Sequence, residues 1–123
     1  MPSRRAAQRR AAEKRGRRAE QIAEVWLVLK GYRILARRIR LRTGEIDLIA
    51  RRGSVLAFVE VKQRRSLSQT QNAVSPRAWR RIAATAEAWA GRRPRLSGLD
   101  WRYDLIAIVK WQRPYHFRDY WRP

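Results

Sequence analysis

The stretch Gly44 to Lys62, GEIDLIARRGSVLAFVEVK, constrains the fold more than any other part of the chain. Its runs Glu45 to Arg51 and Val55 to Lys62 are rich in Ile, Leu and Val, and Arg52-Gly53-Ser54 separates them, which is the pattern of a β-hairpin. Alternate side chains of a strand share a face, so Glu60 and Lys62 point one way while Val59 and Val61 point the other. Glu45 and Asp47 likewise share a face of the preceding strand. With the turn closing around Arg51 to Ser54, Asp47 falls opposite residue 58 and diagonal to Glu60. Cross-strand neighbours of this kind lie roughly 5 to 8 Å apart, so Asp47, Glu60 and Lys62 can converge on one point.

The flanking elements follow from periodicity and punctuation. Residues 1–15 are rich in Arg and Ala without a large apolar side chain, and are expected to form a frayed helical arm or to be disordered, with Arg free to reach phosphate. From Gly16 onward Ala19, Ile22, Ala23, Trp26 and Leu29 recur at helical steps, predicting a first core helix that Gly31 ends. A strand over Tyr32 to Leu41 precedes the hairpin and makes an antiparallel meander. Residues 63–75 read as a polar link without periodicity, long enough to suggest mobility or substrate contact. Ser75-Pro76 then starts a helix whose buried stripe is Trp79, Ile82, Ala83, Ala86 and Ala90. The segment Trp101 to Trp111 alternates and predicts one further strand. The order helix, three strands, helix, strand implies the α/β class, a mixed sheet with helices packed on it. A chain of 123 residues fits one domain, here residues 16–123 behind the basic arm.

Convergent carboxylates resist burial unless a cation or proton lies between them. Oxygen ligands without His or Cys favour magnesium or manganese over zinc. A divalent metal held by Asp47 and Glu60 can polarise a phosphodiester oxygen and make water more acidic, while the Lys62 ammonium orients the nucleophile or offsets developing charge. The alternative for an acid-x-Lys pair on a strand is a solvated face or an ordinary cross-strand ion pair. The apolar flanks and the matching acid on the preceding strand favour the site.

Charge points to the partner. Thirty Lys and Arg stand against ten Asp and Glu, a formal net charge of +20, and a polyanion, nucleic acid, is the natural complement. The absence of cysteine excludes disulfides, zinc ribbons and thiol nucleophiles. No apolar run approaches the roughly 20 residues of a membrane span, and no phosphate-cradling Gly loop is present. No membrane partner is expected, and the cytoplasm is the expected compartment. His116, in a terminal aromatic cluster, is expected to pack or hydrogen-bond, and Asp104 to pair with Arg102. The Trp residues read as core, with Trp111 or Trp121 as exceptions if exposed.

The runs Gly44-Glu45-Ile46-Asp47-Leu48-Ile49-Ala50 and Phe58-Val59-Glu60-Val61-Lys62 closely resemble the signatures of the bacterial YraN family. That family comprises uncharacterised proteins similar to Holliday-junction resolvases within the PD-(D/E)XK nuclease superfamily. The resemblance extends to Gly16 and Ala19-Glu20, to Gly31 through Leu35, to Ala73 through Arg77 and to Arg102-Tyr103-Asp104. It implies a restriction-endonuclease-like fold, with Asp47, Glu60 and Lys62 at the acid and acid-x-Lys positions and Glu20 as a helical acid. The other reading of Glu20 is a plain surface residue, and Glu45 is assigned a structural or supporting role. Gln63, in place of a small hydroxyl residue, and Ala78, in place of a Lys, depart from the pattern without removing a presumed ligand.

Together these readings predict a metal-dependent endonuclease-like protein acting on DNA, with branched DNA suggested by the resemblance and a dimer left open. The alternatives are a non-catalytic DNA-binding module with the same fold and a basic RNA- or ribosome-associated protein.

Overall fold

The computed structural model describes residues 3–123; the first two residues of the expected arm lie outside the described residues. A helix α1 (Arg4–Leu29) leads into the strands β1 (Arg33–Leu41), β2 (Gly44–Arg52) and β3 (Val55–Gln63). Two helices, α2 (Leu67–Gln71) and α3 (Pro76–Ala90), and a single 3-10 turn over Pro94–Leu96 lead to β4 (Asp100–Ile108) and β5 (Tyr115–Trp121). The sheet has five strands in sequence order, with β3 and β4 parallel and every other neighbouring pair antiparallel. The parallel pair requires a crossover, which α2 and α3 supply. This is the mixed α/β sheet flanked by helices that the sequence pattern predicts, and it is consistent with the restriction-endonuclease-like fold implied by the resemblance.

Each face of the sheet has its own core. On one face Ile46, Ile49, Leu56, Phe58 and Leu105 pack against Trp79, Ile82 and Ala86 of α3. On the other, Leu48, Ala50, Ala57, Val59 and Ile106 pack against Ala19, Ala23 and Leu27 of α1. The start of α3 is as expected: Ser75 Oγ accepts the Ala78 amide at 3.1 Å and Pro76 occupies the first turn.

The structure departs from the expectations at four points. The arm takes the helical form of the two expected for it, but it and the first core helix are one helix, running through Gly16 from Arg4, where Ser3 Oγ accepts the Ala6 amide at 3.1 Å. Its buried stripe is Ala19, Ala23 and Leu27, whereas Ile22, Val25, Val28 and Leu29 are exposed. Small side chains at four-residue steps let the helix backbone approach the sheet, and the bulkier apolar residues are left outside. The polar link contains α2, capped by Ser66, and a fifth strand follows β4.

Candidate active site

The hairpin of β2 and β3 turns on Gly53, with φ of 58°, and Ser54, and its ladder runs from Arg52↔Val55 to Leu48↔Val59. One step further on that register Asp47 would face Glu60, directly rather than diagonally. The regular pairing stops there. Instead the Val61 amide donates to Asp47 Oδ2 at 2.8 Å, so a side chain takes the place of a ladder carbonyl. Ile46 and Ile49 pack in the same core although an odd spacing should place them on opposite faces, which locates a one-residue slip at Asp47. The neighbouring strand is distorted at the same level: Arg38, between the pairs Arg37↔Leu48 and Ile39↔Ile46, has φ of 49°. Asp47 thus sits in the wedge where β2 and β3 part.

Glu60 lies on β3 beside that wedge, only 8% exposed, and its Oε1 is 3.3 Å from the half-buried Lys62 Nζ. Burial, reinforced by the Asp47 charge and opposed by Lys62, pushes Glu60 up to about 8. Burial also raises Asp47 above the usual carboxylate range against the pull of the Val61 amide, with Glu20 adding to the rise. Both acids therefore carry an unmet demand for positive charge. In a chain with three cations for each acid, this is unusual company. Glu13, Glu20, Glu24, Glu45, Asp104 and Asp119 each hold an Arg. Among the described residues the other four acids hold none; Glu87 and Asp100 are exposed to solvent, whereas Asp47 and Glu60 are wholly or partly withdrawn from it.

Glu20 lines the same groove as Asp47 but is tied to Arg38 Nε at 2.7 Å. Among the described residues no group of three or more His, Cys, Asp or Glu side chains is arranged to hold a metal. Hence Asp47 and Glu60 form a pair, with Glu20 beside rather than within it. Glu45 is exposed and faces Arg40 at 3.6 Å, outside the pair. The pair's chemistry nonetheless fits a hard divalent cation. One oxygen of Asp47 is engaged by the Val61 amide, the carboxylates repel, and no soft ligand competes.

An open groove of about 1080 Å³ runs along the α1 side of this point. Arg15, Lys62, Arg64, Arg65 and Lys110 line it, together with Asn72 at the end of α2. The polar link therefore does reach the groove. Lys110 was not singled out by sequence, because it lies in a turn whose position only the β3–β4 pairing fixes.

Asp104 belongs elsewhere. It is fully buried and accepts from Arg102 Nε at 2.8 Å and from the Asp119 amide at 2.9 Å. His116 Nε2 lies 2.8 Å from its other oxygen. Burial alone would raise Asp104, but the His116 and Arg102 hydrogen bonds hold it below its ordinary range. This network fastens β5 to β4, as expected for a pairing acid and a hydrogen-bonding His. Trp121 stacks on Trp79 with ring centroids 6.0 Å apart, whereas Trp111 is 92% exposed.

Residues 19–108 match the model of the Uncharacterised protein family UPF0102. A UPF0102 protein of Mesorhizobium japonicum is 49% identical over 97% of this chain and 95% of that protein. Relatives of the same description from Sinorhizobium medicae (51% identical, 88% of each chain) and Maricaulis maris (47% identical, 94% of this chain and 91% of that protein) are similar.

Proposed function

The chain belongs to the uncharacterised family UPF0102, the YraN family, and from that premise we propose that it is a metal-dependent endonuclease-like protein hydrolysing DNA phosphodiesters. The observation that carries this reading is the pair formed by the half-buried Asp47 and the buried Glu60, both raised above the usual carboxylate range and neither held by an Arg, with Asp47 and Lys62 lining a cationic groove.

Asp47 and Glu60 would hold magnesium or manganese through their carboxylate oxygens. When bound, such a cation supplies positive charge to a phosphoryl oxygen and makes water more acidic. The chain's own residues do the rest. The Val61 amide fixes the rotamer of Asp47, and Lys62 holds Glu60 in place at 3.3 Å. An ammonium has donors only, so Lys62 is suited to orienting the attacking water or offsetting charge on the phosphoryl group, not to ligation. Arg15, Arg64, Arg65 and Lys110 would take the flanking phosphates.

The test is incubation of linear, flapped and four-way DNA with magnesium or manganese beside an Asp47→Ala control. Metal-dependent cutting that disappears in the control, with DNA binding retained or stronger, is the expected result, because the lost carboxylate repelled phosphate. Failure of the folded protein to cut any of these DNAs with either metal would sink the hydrolytic reading. The second reading, a binding module without turnover, is favoured by Glu20 standing in an ion pair with Arg38 rather than completing a third acid. Under it there is no acid-dependent cutting to lose.

A further inference from the structure

Trp111 has neither a packing nor a conformational reason to be where it is. At 92% exposure it is the most exposed of the large apolar residues among those described, so the core gains nothing from its indole. Its backbone is left-handed, with φ of 66°, in a four-residue turn closed by the Gln112 amide on the Val109 carbonyl at 3.1 Å. The third position of a turn with positive φ suits Gly or Asn, and a bulky residue there is strained. Strain kept at an exposed position directs attention to what the side chain meets outside the fold.

The surroundings say what that is. The turn follows β4, whose Ile108 pairs with Gln63, and the Arg64 amide donates to the Ile108 carbonyl at 3.3 Å. Trp111 therefore stands at the end of the sheet where Lys62, Arg64 and Arg65 enter the groove. Its neighbour Lys110 lines that groove and holds its ammonium 5.5 Å from the indole centroid. Among the described residues the groove lining contains cations, the acids Glu20 and Asp47, amides and small or aliphatic residues but no aromatic side chain. Proteins that hold single strands along a groove stack the bases on aromatic side chains, and a lining without them suits a duplex, whose bases are already stacked. One aromatic at the mouth of such a groove suits the place where stacking ends.

We propose that Trp111 is a base-stacking residue that takes an unpaired base at the end of a duplex held in the groove, with Lys110 on the adjoining phosphate. The substrate class is thus a duplex interrupted by a single strand rather than a continuous duplex. This rests on the nucleic-acid part of the reading above, and the experiment separates the two.

The full chain is titrated in chelator against two DNAs, a continuous duplex and the same duplex with a single-stranded flap whose first unpaired base is 2-aminopurine. Stacking on the indole should quench the 2-aminopurine emission. Trp111→Gly suits the turn and should fold at least as stably as the parent. It should abolish the quench and weaken flap binding by between about 5-fold and 150-fold, leaving the continuous duplex within about 2-fold. Trp111→Phe should restore part of the quench. The proposal is overturned if Trp111→Gly leaves the quench intact, weakens both DNAs equally, or changes only the oligomeric state, which would assign the indole to a protein contact. A Trp111-dependent quench without cutting under magnesium would remove the hydrolytic reading and keep this one. Cutting without such a quench would do the reverse.

Discussion

Glu60 makes the stability of the metal-free protein depend on pH in an unusual direction. A carboxyl pushed up to about 8 binds its proton more tightly in the folded chain than in the unfolded one. Between roughly pH 5 and pH 8 the folded state therefore binds more protons, and its stability should fall as pH rises through that window. Asp47 is raised as well and adds to the fall, whereas Glu24, Asp104 and Asp119 shift the opposite way, so their contributions change below the ordinary carboxylate range. Thermal unfolding in chelator should show the midpoint dropping toward pH 8, and Glu60→Gln should flatten the profile while weakening metal-induced stabilisation. Identical profiles for the two proteins would mean that Glu60 ionises freely. The placing of Glu60 and Lys62 on one face was legible in the sequence because alternation along a single strand needs no knowledge of register, whereas bringing Asp47 to them needed the hairpin pairing as well. Their register was not legible. Moving the centre of the turn by one residue, to Gly53-Ser54, moves every pairing by two and brings Asp47 level with Glu60. Nor does any periodicity announce the slip at Asp47, which lies level with the left-handed Arg38 on the neighbouring strand.

Among the elements, β2 depends on its contact with α3. Gly44 has φ of 154°, and a Cβ there would meet Thr85 Oγ1 at 3.1 Å and Arg81 Cβ at 3.4 Å. Thr85 is itself fixed, by Thr43 Oγ1 at 2.8 Å and by its own bond to the Arg81 carbonyl at 2.9 Å. Gly44→Ala should therefore destabilise the fold by about 1–3 kcal/mol, seen as a lower denaturant midpoint, because both the backbone and the helix must yield. An unchanged midpoint would mean that α3 moves aside freely. The helix α3 was legible in full because Ser75-Pro76, the apolar stripe and Gly91 agree. The strand β5 was not, since Arg118 and Asp119 interrupt its aromatic run, Asp119 has φ of 55°, and the pairing with β4 shifts between Tyr103 and Leu105. A bulge of this kind breaks the two-residue period by which a strand is recognised. For α1 the difficulty was different. Its first four turns bury nothing, so no apolar period marks them, and the helix continues there on Ala content, the Ser3 cap and the Glu13–Arg17 pair one turn apart.

At the scale of the whole molecule, the formal charge of +20 predicts nucleic-acid affinity that declines steeply with salt, and α1 lets that expectation be divided. Deleting residues 1–15 removes Arg4, Arg5, Arg9, Arg10, Lys14 and Arg15 with a single acid, Glu13. Were these residues a loose chain, all of the cations could reach phosphate together. In a helix they are distributed around the axis at 100° per residue, so only about half can face one duplex at a time. Each phosphate contact contributes about 0.9 to the slope of log affinity against log salt, and the deletion should therefore flatten it by about 3 rather than by the 5 or more of a fully engaged arm. Arg15 lines the groove together with Asp47, Arg64, Arg65 and Lys110, so the end of the arm adjoins the cationic lining. The duplex that reaches the acids should then also reach the arm. Binding measured across a salt series for the full chain and the deletion variant checks this. An unchanged slope would place the arm off the nucleic-acid surface, and a slope reduced by 5 or more would mean that the helix unwinds to wrap the backbone.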